Sequence, residues 1–263
     1  MNILFTVCGR AGSKGVKNKN LKNLLGKPLV YYTLSAIDLF IKENKGEDTI
    51  HVCASSDSQD LLGLITAQKA FPVFTVDRSK ELSGDTIGKI AVIRDALLRS
   101  NKHYEVEHDM VIDLDITSPI RRLQDIVNIY EMKKNSPDFD IVFSVTNARR
   151  NPYFNQVKKN PVTGGYELVM NQGITSRQQA PVVYDMNASI YAYDGLYLIR
   201  SNSDKLFDGR CTAIMMEDTA VLDIDSEEDY ELMEYLYGYF IKSNCDFALI
   251  FVNVSQIVDS MSW

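Results

Sequence analysis

The chain has 263 residues, of which 45% are hydrophobic and 24% charged, and its formal net charge is −7. That length and balance support one large core or two modest ones without disulfide or metal staples, and they exclude a disordered chain. An acidic protein is also poorly suited to wrapping nucleic acid, whose affinity for proteins comes largely from neutralised phosphates.

Taken in chain order, short apolar runs alternate with longer segments of helical period, the pattern of a parallel sheet flanked by helices. Residues 3–7, ILFTV, read as a buried strand that enters a glycine-rich, basic loop, and 29–42 read as a helix. A strand at 50–54 precedes a helix at 59–69, and 71–76 is a further strand. Helical spacing over 86–99 places Ile87, Ile90, Ile93 and Leu97 on one face. Residues 109–114 form a strand, and Ser118-Pro119 reads as an N-cap with proline at the first helical position. After a strand at 141–145 the pattern breaks. Residues 149–181 hold two Asn-Pro pairs and a Thr-Gly-Gly turn, which predict a hairpin with loops. Regular structure returns at 188–193 and 195–199. Ser226 with Asp229 forms a capping-box pattern for a helix reading LMEYLYGYF. The apolar stretch 247–254, FALIFVNV, is too short to span a bilayer and reads as packing or a subunit contact.

Cys8, Cys53, Cys211 and Cys245 lack CxxC spacing. Cys8 and Cys53 sit in apolar strand-like runs and read as buried free thiols, which suits a reducing compartment. The N-terminus carries no apolar stretch of signal-peptide length, so the expectation is a cytoplasmic protein with neither a membrane nor a nucleic-acid partner.

The loop VCGRAGSKGVKNKN interleaves glycines with Arg10, Lys14, Lys17 and Lys19 directly after a strand. Small residues there let backbone N–H groups approach an anion, and the cations add charge, so the loop reads as a phosphate cradle. Neither the P-loop spacing nor GxGxxG is present, which leaves a nucleotide or sugar-phosphate binder against a plain solvated turn. In LDIDSEED, Asp223 and Asp225 alternate around Ile224, so on a strand both carboxylates face one side. Such a pair repels unless a cation lies between, and hard oxygen ligands suit magnesium. Glu227, Glu228 and Asp229 instead fit an acidic helix start. Asp113 and Asp115 repeat the alternation where α/β sheets place ligands, unless they only cap the next helix. With His51, His103 and His108 as the histidines and no GxSxG, a histidine-based triad or zinc site is not expected.

Five ordered blocks then resemble the acylneuraminate cytidylyltransferases. CGRAGSKGVKNKN is similar to that family's ARxGSKGxxxKN and RSKELSGDT to its RPxELAxDT. TSPIR is similar to QPTSPLR, SRQQAPVVYDMNASIY to the RQ…NGAIY block, and LDIDSEED to IDIDtexD. The resemblance implies a Rossmann-like, mostly parallel α/β sheet with a small inserted β-hairpin dimerisation element. It implies a cytidylyltransferase domain over 1–243, the insert at 149–187, and an extension over 244–263 of unassigned role. The implied reaction joins CTP to the anomeric hydroxyl of a nonulosonic acid and releases pyrophosphate, with Mg2+ required and a homodimer sharing its sites. By position, Arg10, Gly12, Ser13, Lys14, Lys19 and Asn20 would hold the nucleotide, with Asp85 and Thr86 beside them. Arg10 and Lys14 would be catalytic, Lys14 neutralising charge on the leaving pyrophosphate, and Arg78 would read cytosine. Asp223 and Asp225 would bind metal, Asp225 also serving as the base unless a metal-bound hydroxide does. Asp115, Arg177, Gln178, Asn187 and Tyr191 would contact the sugar, Arg177 through its carboxylate.

Departures from the family pattern bear on the substrate. Asp115-Ile116 replaces Gln-Pro, Phe154 stands at a sugar-facing lysine, and Asp185 stands at an arginine. LDxTSP, NPYFN and YDMNASIY resemble the branch acting on legionaminic acid and its relatives. Asp115 alternatively binds a second metal, as an aspartate near this point does in the related Kdo cytidylyltransferases. N-acetylneuraminate or pseudaminate as substrate, a nucleotide-sugar glycosyltransferase, and a non-catalytic nucleotide-binding protein are the other readings.

Overall fold

The first strand, β1 (Asn2–Cys8), has five consecutive fully buried residues, Ile3 to Val7. Such a strand needs cover on both faces and neighbours on both edges. In the computed structural model, which describes residues 1–12, 15–84 and 87–259, it has both. A minimal hairpin, β2 (Asn23–Leu24) and β3 (Lys27–Pro28), leads into α1 (Val30–Asn44). Then come β4 (Thr49–Ser56), α2 (Gln59–Ala67), β5 (Phe74–Asp77), α3 (Lys89–Tyr104), β6 (Met110–Leu114), α4 (Leu123–Asn135) and β7 (Ile141–Asn147). A two-stranded arm, β8 (Val157–Lys159) with β9 (Tyr166–Leu168), precedes β10 (Tyr184–Asp194), α5 (Gly195–Arg200) and β11 (Cys211–Met215). Helices α6 (Glu227–Ser243) and α7 (Cys245–Asp259) end the described chain.

The sheet order is β11-β7-β10-β6-β1-β4-β5. Its pairings are parallel except that β10 runs antiparallel to both β6 and β7. Side chains alternate between two cores. Ile3, Phe5 and Val7 pack with α1, α2, α4, α6 and α7, whereas Leu4 packs with α3 and α5 on the other face. Because β1, β4 and β6 are parallel, Cys8, Ser56 and Leu114 all finish at one sheet edge, where α/β folds bind ligands.

Several expectations are corrected. Ser118-Pro119 does not open a helix: α4 begins at Leu123, where Asp125 Oδ2 accepts the Arg122 N–H at 2.9 Å. Ser118 instead donates its hydroxyl to Asp223, and Ile120 is buried in the loop. Residues 222–225 join no strand of the sheets, Ile224 making one backbone hydrogen bond to Thr117, so they are not a strand. Strand β11 was not foreseen; its sequence, CTAIM, is short and carries no turn signal. Cys53 is buried and Cys8 half-buried at the sheet edge. The capping box at Ser226 and Asp229 is present, each side chain accepting from the other's backbone N–H.

The stretch 247–254 is part of α7. Phe247, Ile250 and Val254 are buried in the core that includes α1, Ile257 is buried too, and Asn253 Nδ2 donates to Asp38 Oδ2 at 2.9 Å and Ser35 Oγ at 3.2 Å. Asn253→Ala removes the donor while Asp38 stays buried. Chemical denaturation of this variant is expected to show a loss of about 1–3 kcal/mol.

At the opposite end of the sheet, His108 is buried between His51 and Asn101, with Nε2 2.9 Å from His51 Nδ1 and Nδ1 2.6 Å from Asn101 Oδ1. Burial and then the neighbouring His51 lower its pKa from 6.5 to about 4. The unfolded chain therefore takes up this proton first as pH falls. The stabilisation is complete above pH 6.5 and is lost toward pH 4, with an upper size on the order of 3 kcal/mol. Thermal midpoints are expected to fall over that window in the wild type and to fall less in His108→Gln. Equal slopes would remove the assignment.

Candidate active site

The loop after β1 is held by what surrounds it. The Ala11 N–H donates to Asp57 Oδ1 at 2.7 Å, and Gly12 sits at φ 73°, the left-handed region that favours glycine. At Gly15 a Cβ would lie 1.8 Å from the backbone carbonyl oxygen of Asp225. No side chain fits there, so glycine is what lets the loop close on the acidic segment. A short 3-10 turn, Lys19–Leu21, then aims Lys19 Nζ at the carbonyl of Ile224 (2.7 Å) and at Asp225 Oδ1 (3.1 Å). Asn20 is buried and donates from Nδ2 to the carbonyl of Arg10 at 3.1 Å.

The acidic side is equally anchored. The Ile224 N–H donates to the Thr117 carbonyl at 3.1 Å and its side chain is fully buried, which turns Asp223 and Asp225 toward the loop. Asp223 Oδ1 accepts from the Ser118 hydroxyl at 3.2 Å and from the Ile224 N–H at 2.9 Å. Burial, and then the nearby Asp115 carboxylate, raise the Asp223 pKa. Thus a cavity of about 320 Å³ is lined by Arg10, Gly15, Lys19, Asn20, Asp115 and Asp223 together with Asp225, Thr117, Cys8 and Gly9.

Beneath it lies a residue that sequence reasoning missed. Lys89, the first residue of α3, places Nζ 2.7 Å from Asp113 Oδ2 and 2.8 Å from Asp115 Oδ2, and 5.2 Å from the Tyr191 ring centre. Burial alone would lower its pKa, but the two carboxylates outweigh that and hold the ammonium well above its usual range. Asp115 moves the other way: burial would raise it, and Lys89 brings it below the usual carboxylate range. The available signal was a lysine beside the apolar face of Ile90 and Ile93, which reads equally as a helix surface. Arg121 was also missed as an organiser. It is fully buried and donates from Nη2 to the carbonyls of Asp115 (2.6 Å), Ser118 (3.0 Å) and Ser189 (3.2 Å).

Of the residues expected in the site, Arg10, Lys19, Asn20, Asp115, Asp223 and Asp225 come together in that cavity. Tyr191 does not line it; its ring lies against Lys89, with the ring centre 5.2 Å from Nζ. Arg78 is buried and donates from Nη2 to the Ser55 carbonyl at 2.5 Å, the same carbonyl that accepts the Gly9 N–H. Arg177 lines a different cavity of about 270 Å³ with Arg149, Arg150, Asn151 and Asn155. Gln178 is exposed, and Asn187 is buried, accepting from the Ser144 hydroxyl at 2.5 Å. Ser13, Lys14, Asp85 and Thr86 lie outside the described residues.

Among the described residues no group of three or more His, Cys, Asp or Glu side chains could hold a metal by itself. Asp223 and Asp225 offer two hard carboxylates at the cavity wall. That donor set fits magnesium, which is usually held by one or two carboxylates with substrate phosphates and water completing its shell. No described helix is long and apolar enough to cross a membrane.

Comparison with known proteins places the chain in a family. The chain is 35% identical over 235 residues to post-translational flagellin modification protein B of Campylobacter coli, covering 89% of this chain and 94% of that one. It is 35% identical over 247 residues to the CMP-N,N'-diacetyllegionaminic acid synthase of Campylobacter jejuni subsp. jejuni, covering 93% and 99%. The structure of CMP:2-keto-3-deoxy-manno-octonic acid synthetase complexed with CTP superposes with a TM-score of 0.61 at 14% identity, covering 91% of this chain and 99% of that one. That likeness establishes a shared fold. Residues 4–242 match the cytidylyltransferase family model, and the chain belongs to that family.

Proposed function

We propose that this protein transfers CMP from CTP to the anomeric hydroxyl of a nonulosonic acid, legionaminic acid or a derivative, and releases pyrophosphate. The observation that carries the reading is the single cavity in which Arg10, Lys19 and Asn20 face Asp223 and Asp225. It occurs in a chain 35% identical to a CMP-N,N'-diacetyllegionaminic acid synthase. Phosphoryl transfer is mostly positioning and charge stabilisation, so facing cations and carboxylates are the parts it needs. In this scheme the sugar oxygen forms a bond to the α-phosphorus, the bond from that phosphorus to the bridging oxygen breaks, and the electron pair leaves with pyrophosphate. Asp225 takes the hydroxyl proton. Arg10, Lys14 and Lys19 bind the triphosphate, with Gly12, Ser13, Asn20, Asp85 and Thr86 around the nucleotide and Arg78 at cytosine. Mg2+ held by Asp223 and Asp225 would neutralise phosphate charge when bound. Lys19 and Asp225 are each other's counter-ions in the free chain, and a metal-triphosphate offers each a replacement.

Asp115, Gln178, Asn187 and Tyr191 are assigned to the sugar, and Arg177 to its carboxylate, where a guanidinium pairs in bidentate fashion. Because Arg177 lines a cavity apart from Asp225, the scheme also needs a homodimer in which the insert of one subunit serves its partner. Exposed Val157, Val162, Tyr166, Val182 and Tyr184 on and beside the arm support such a contact. The reaction is placed in the cytoplasm.

Pyrophosphate release from CTP and Mg2+ over a panel of free nonulosonic acids tests the scheme. Turnover is expected to be highest with legionaminate, and a clear preference for N-acetylneuraminate would overturn the substrate. A glycosyltransferase would release no pyrophosphate from CTP and free sugar. Asp225→Ala is expected to lower kcat on the order of 100-fold with the fold intact, as checked by circular dichroism. Gly15→Ala, which forces the loop off the Asp225 carbonyl, is expected to lower kcat/KM for CTP by at least ~10-fold. Gly63→Ala, whose added methyl meets nothing within 4 Å, serves as the silent control.

A further inference from the structure

Three of the four oxygens of the buried pair Asp113 and Asp115 accept hydrogen bonds, and the fourth, Asp113 Oδ2, has the Lys89 ammonium as an ion-pair partner in place of a hydrogen bond. Asp113 Oδ1 accepts the Thr6 hydroxyl at 2.7 Å and its Oδ2 lies 2.7 Å from Lys89 Nζ. Asp115 Oδ2 lies 2.8 Å from the same ammonium, and its Oδ1 accepts the N–H and hydroxyl of Thr117 at 3.0 and 2.9 Å. Two carboxylates on alternate residues of one strand end, Asp113 being fully buried, repel strongly unless a cation lies between them. Here that cation is covalently part of the chain. Tyr191 closes the cage, its ring centre 5.2 Å from Nζ.

We propose that Lys89 is a resident counter-cation that occupies the position a second divalent ion would take at Asp113 and Asp115. Asp223 and Asp225 are thereby left to hold a single ion. Lys89 acts as a positioning residue, because it fixes Asp115 at the wall of the cavity beside Asp223 without lining the cavity itself. A divalent ion between Asp113 and Asp115 would have to expel an ammonium that both carboxylates hold in its charged form. Asp225, by contrast, is 78% exposed and, among the described residues, its carboxylate pairs with Lys19 through one oxygen, so an arriving metal meets little resistance there. The assignment rests on the proposed nucleotidyl transfer, since it counts the ions that accompany CTP.

Metal stoichiometry tests this without reference to turnover. Mn2+ is titrated into the full chain carrying one equivalent of CTP, and free ion is measured by electron paramagnetic resonance. One bound ion per chain is expected, and two in the wild type would overturn the proposal. Lys89→Met takes away the ammonium between the two carboxylates and is expected to bind one additional Mn2+, with its thermal midpoint raised by roughly 5 °C more than that of the wild type on adding the ion. Lys89→Arg, which keeps the charge, is expected to stay at one. A folded Lys89→Met that still binds one ion would remove the role of Lys89. If that variant folds neither with nor without Mn2+, the wild-type and Lys89→Arg counts decide. Pyrophosphate release by a wild type holding two ions would sink the single-ion site and leave the reaction standing. Failure of release with one ion bound would do the reverse.

Discussion

The site depends on a seam between residues near the start of the chain and residues some two hundred positions later. Gly15 abuts the Asp225 carbonyl, Lys19 reaches the Ile224 carbonyl and Asp225, and Lys22 pairs with Glu227 at 2.5 Å. The exposed ion pairs contribute little to holding this seam, since solvent and salt screen them. What fixes it is apolar burial on either side. Val16 and Leu24 from the loop and Ile224 from the acidic segment are all fully buried in the same core. The hydroxyl of Tyr230 on α6 donates to the Asn23 carbonyl, and the Leu25 N–H donates to Glu234 at 3.1 Å, so α6 is tied to the loop's far end. The charged groups are therefore placed by the core and remain available to a ligand.

A second layer sets the charge of the cavity floor. Arg121, fully buried and held by carbonyls, fixes the loop that carries Thr117 and Ser118, and these in turn hold Ile224 and Asp223. Its burial lowers the guanidinium pKa to about 10, which still leaves it charged at neutral pH. With Lys89 it balances Asp113 and Asp115 in a region where unpaired charge would cost several kcal/mol. Among the described residues, Asp223 and Asp225 are thus the cavity carboxylates that no buried lysine bridges.

How much of this was legible in the sequence follows from the range of the interactions. Helix α1, the strands β1, β4, β6 and β7, and the capping box at Ser226 are set by local periodicity and local hydrogen bonds, and the structure places them within a few residues of the reading. Ser118 misled because its hydroxyl has a partner 105 residues away, and no local rule weighs a distant carboxylate against a helix N-terminus. Asp223 and Asp225 face one cavity as expected, though through the anchoring of Ile224 to Thr117 rather than through a strand. Lys89 was invisible for a similar reason: its meaning lies in Asp113, Asp115 and Tyr191, which come from two other strands.

Two halves of the proposed chemistry are built differently. The nucleotide half is assembled from the ends of β1 and β6 and the segment before α6, all packed on one core and continuous with the fold shared at 14% identity with the CTP-complexed synthetase. Of the groups expected to read the sugar, Asp115 directly follows β6 and Tyr191 lies on β10, whereas Arg177 and Gln178 lie in an insert whose strands, β8 and β9, pair with each other and whose residues are largely exposed. Such an arm buries too little to order itself strongly, and an exposed two-stranded hairpin is marginal in water. In the proposed homodimer a second copy would cover the arm, and Arg177, which lines a separate cavity, would serve the partner's site. Neither Phe154 nor Asp185 lines the nucleotide cavity, so a change of sugar specificity at those positions, as proposed, would leave the nucleotide half undisturbed.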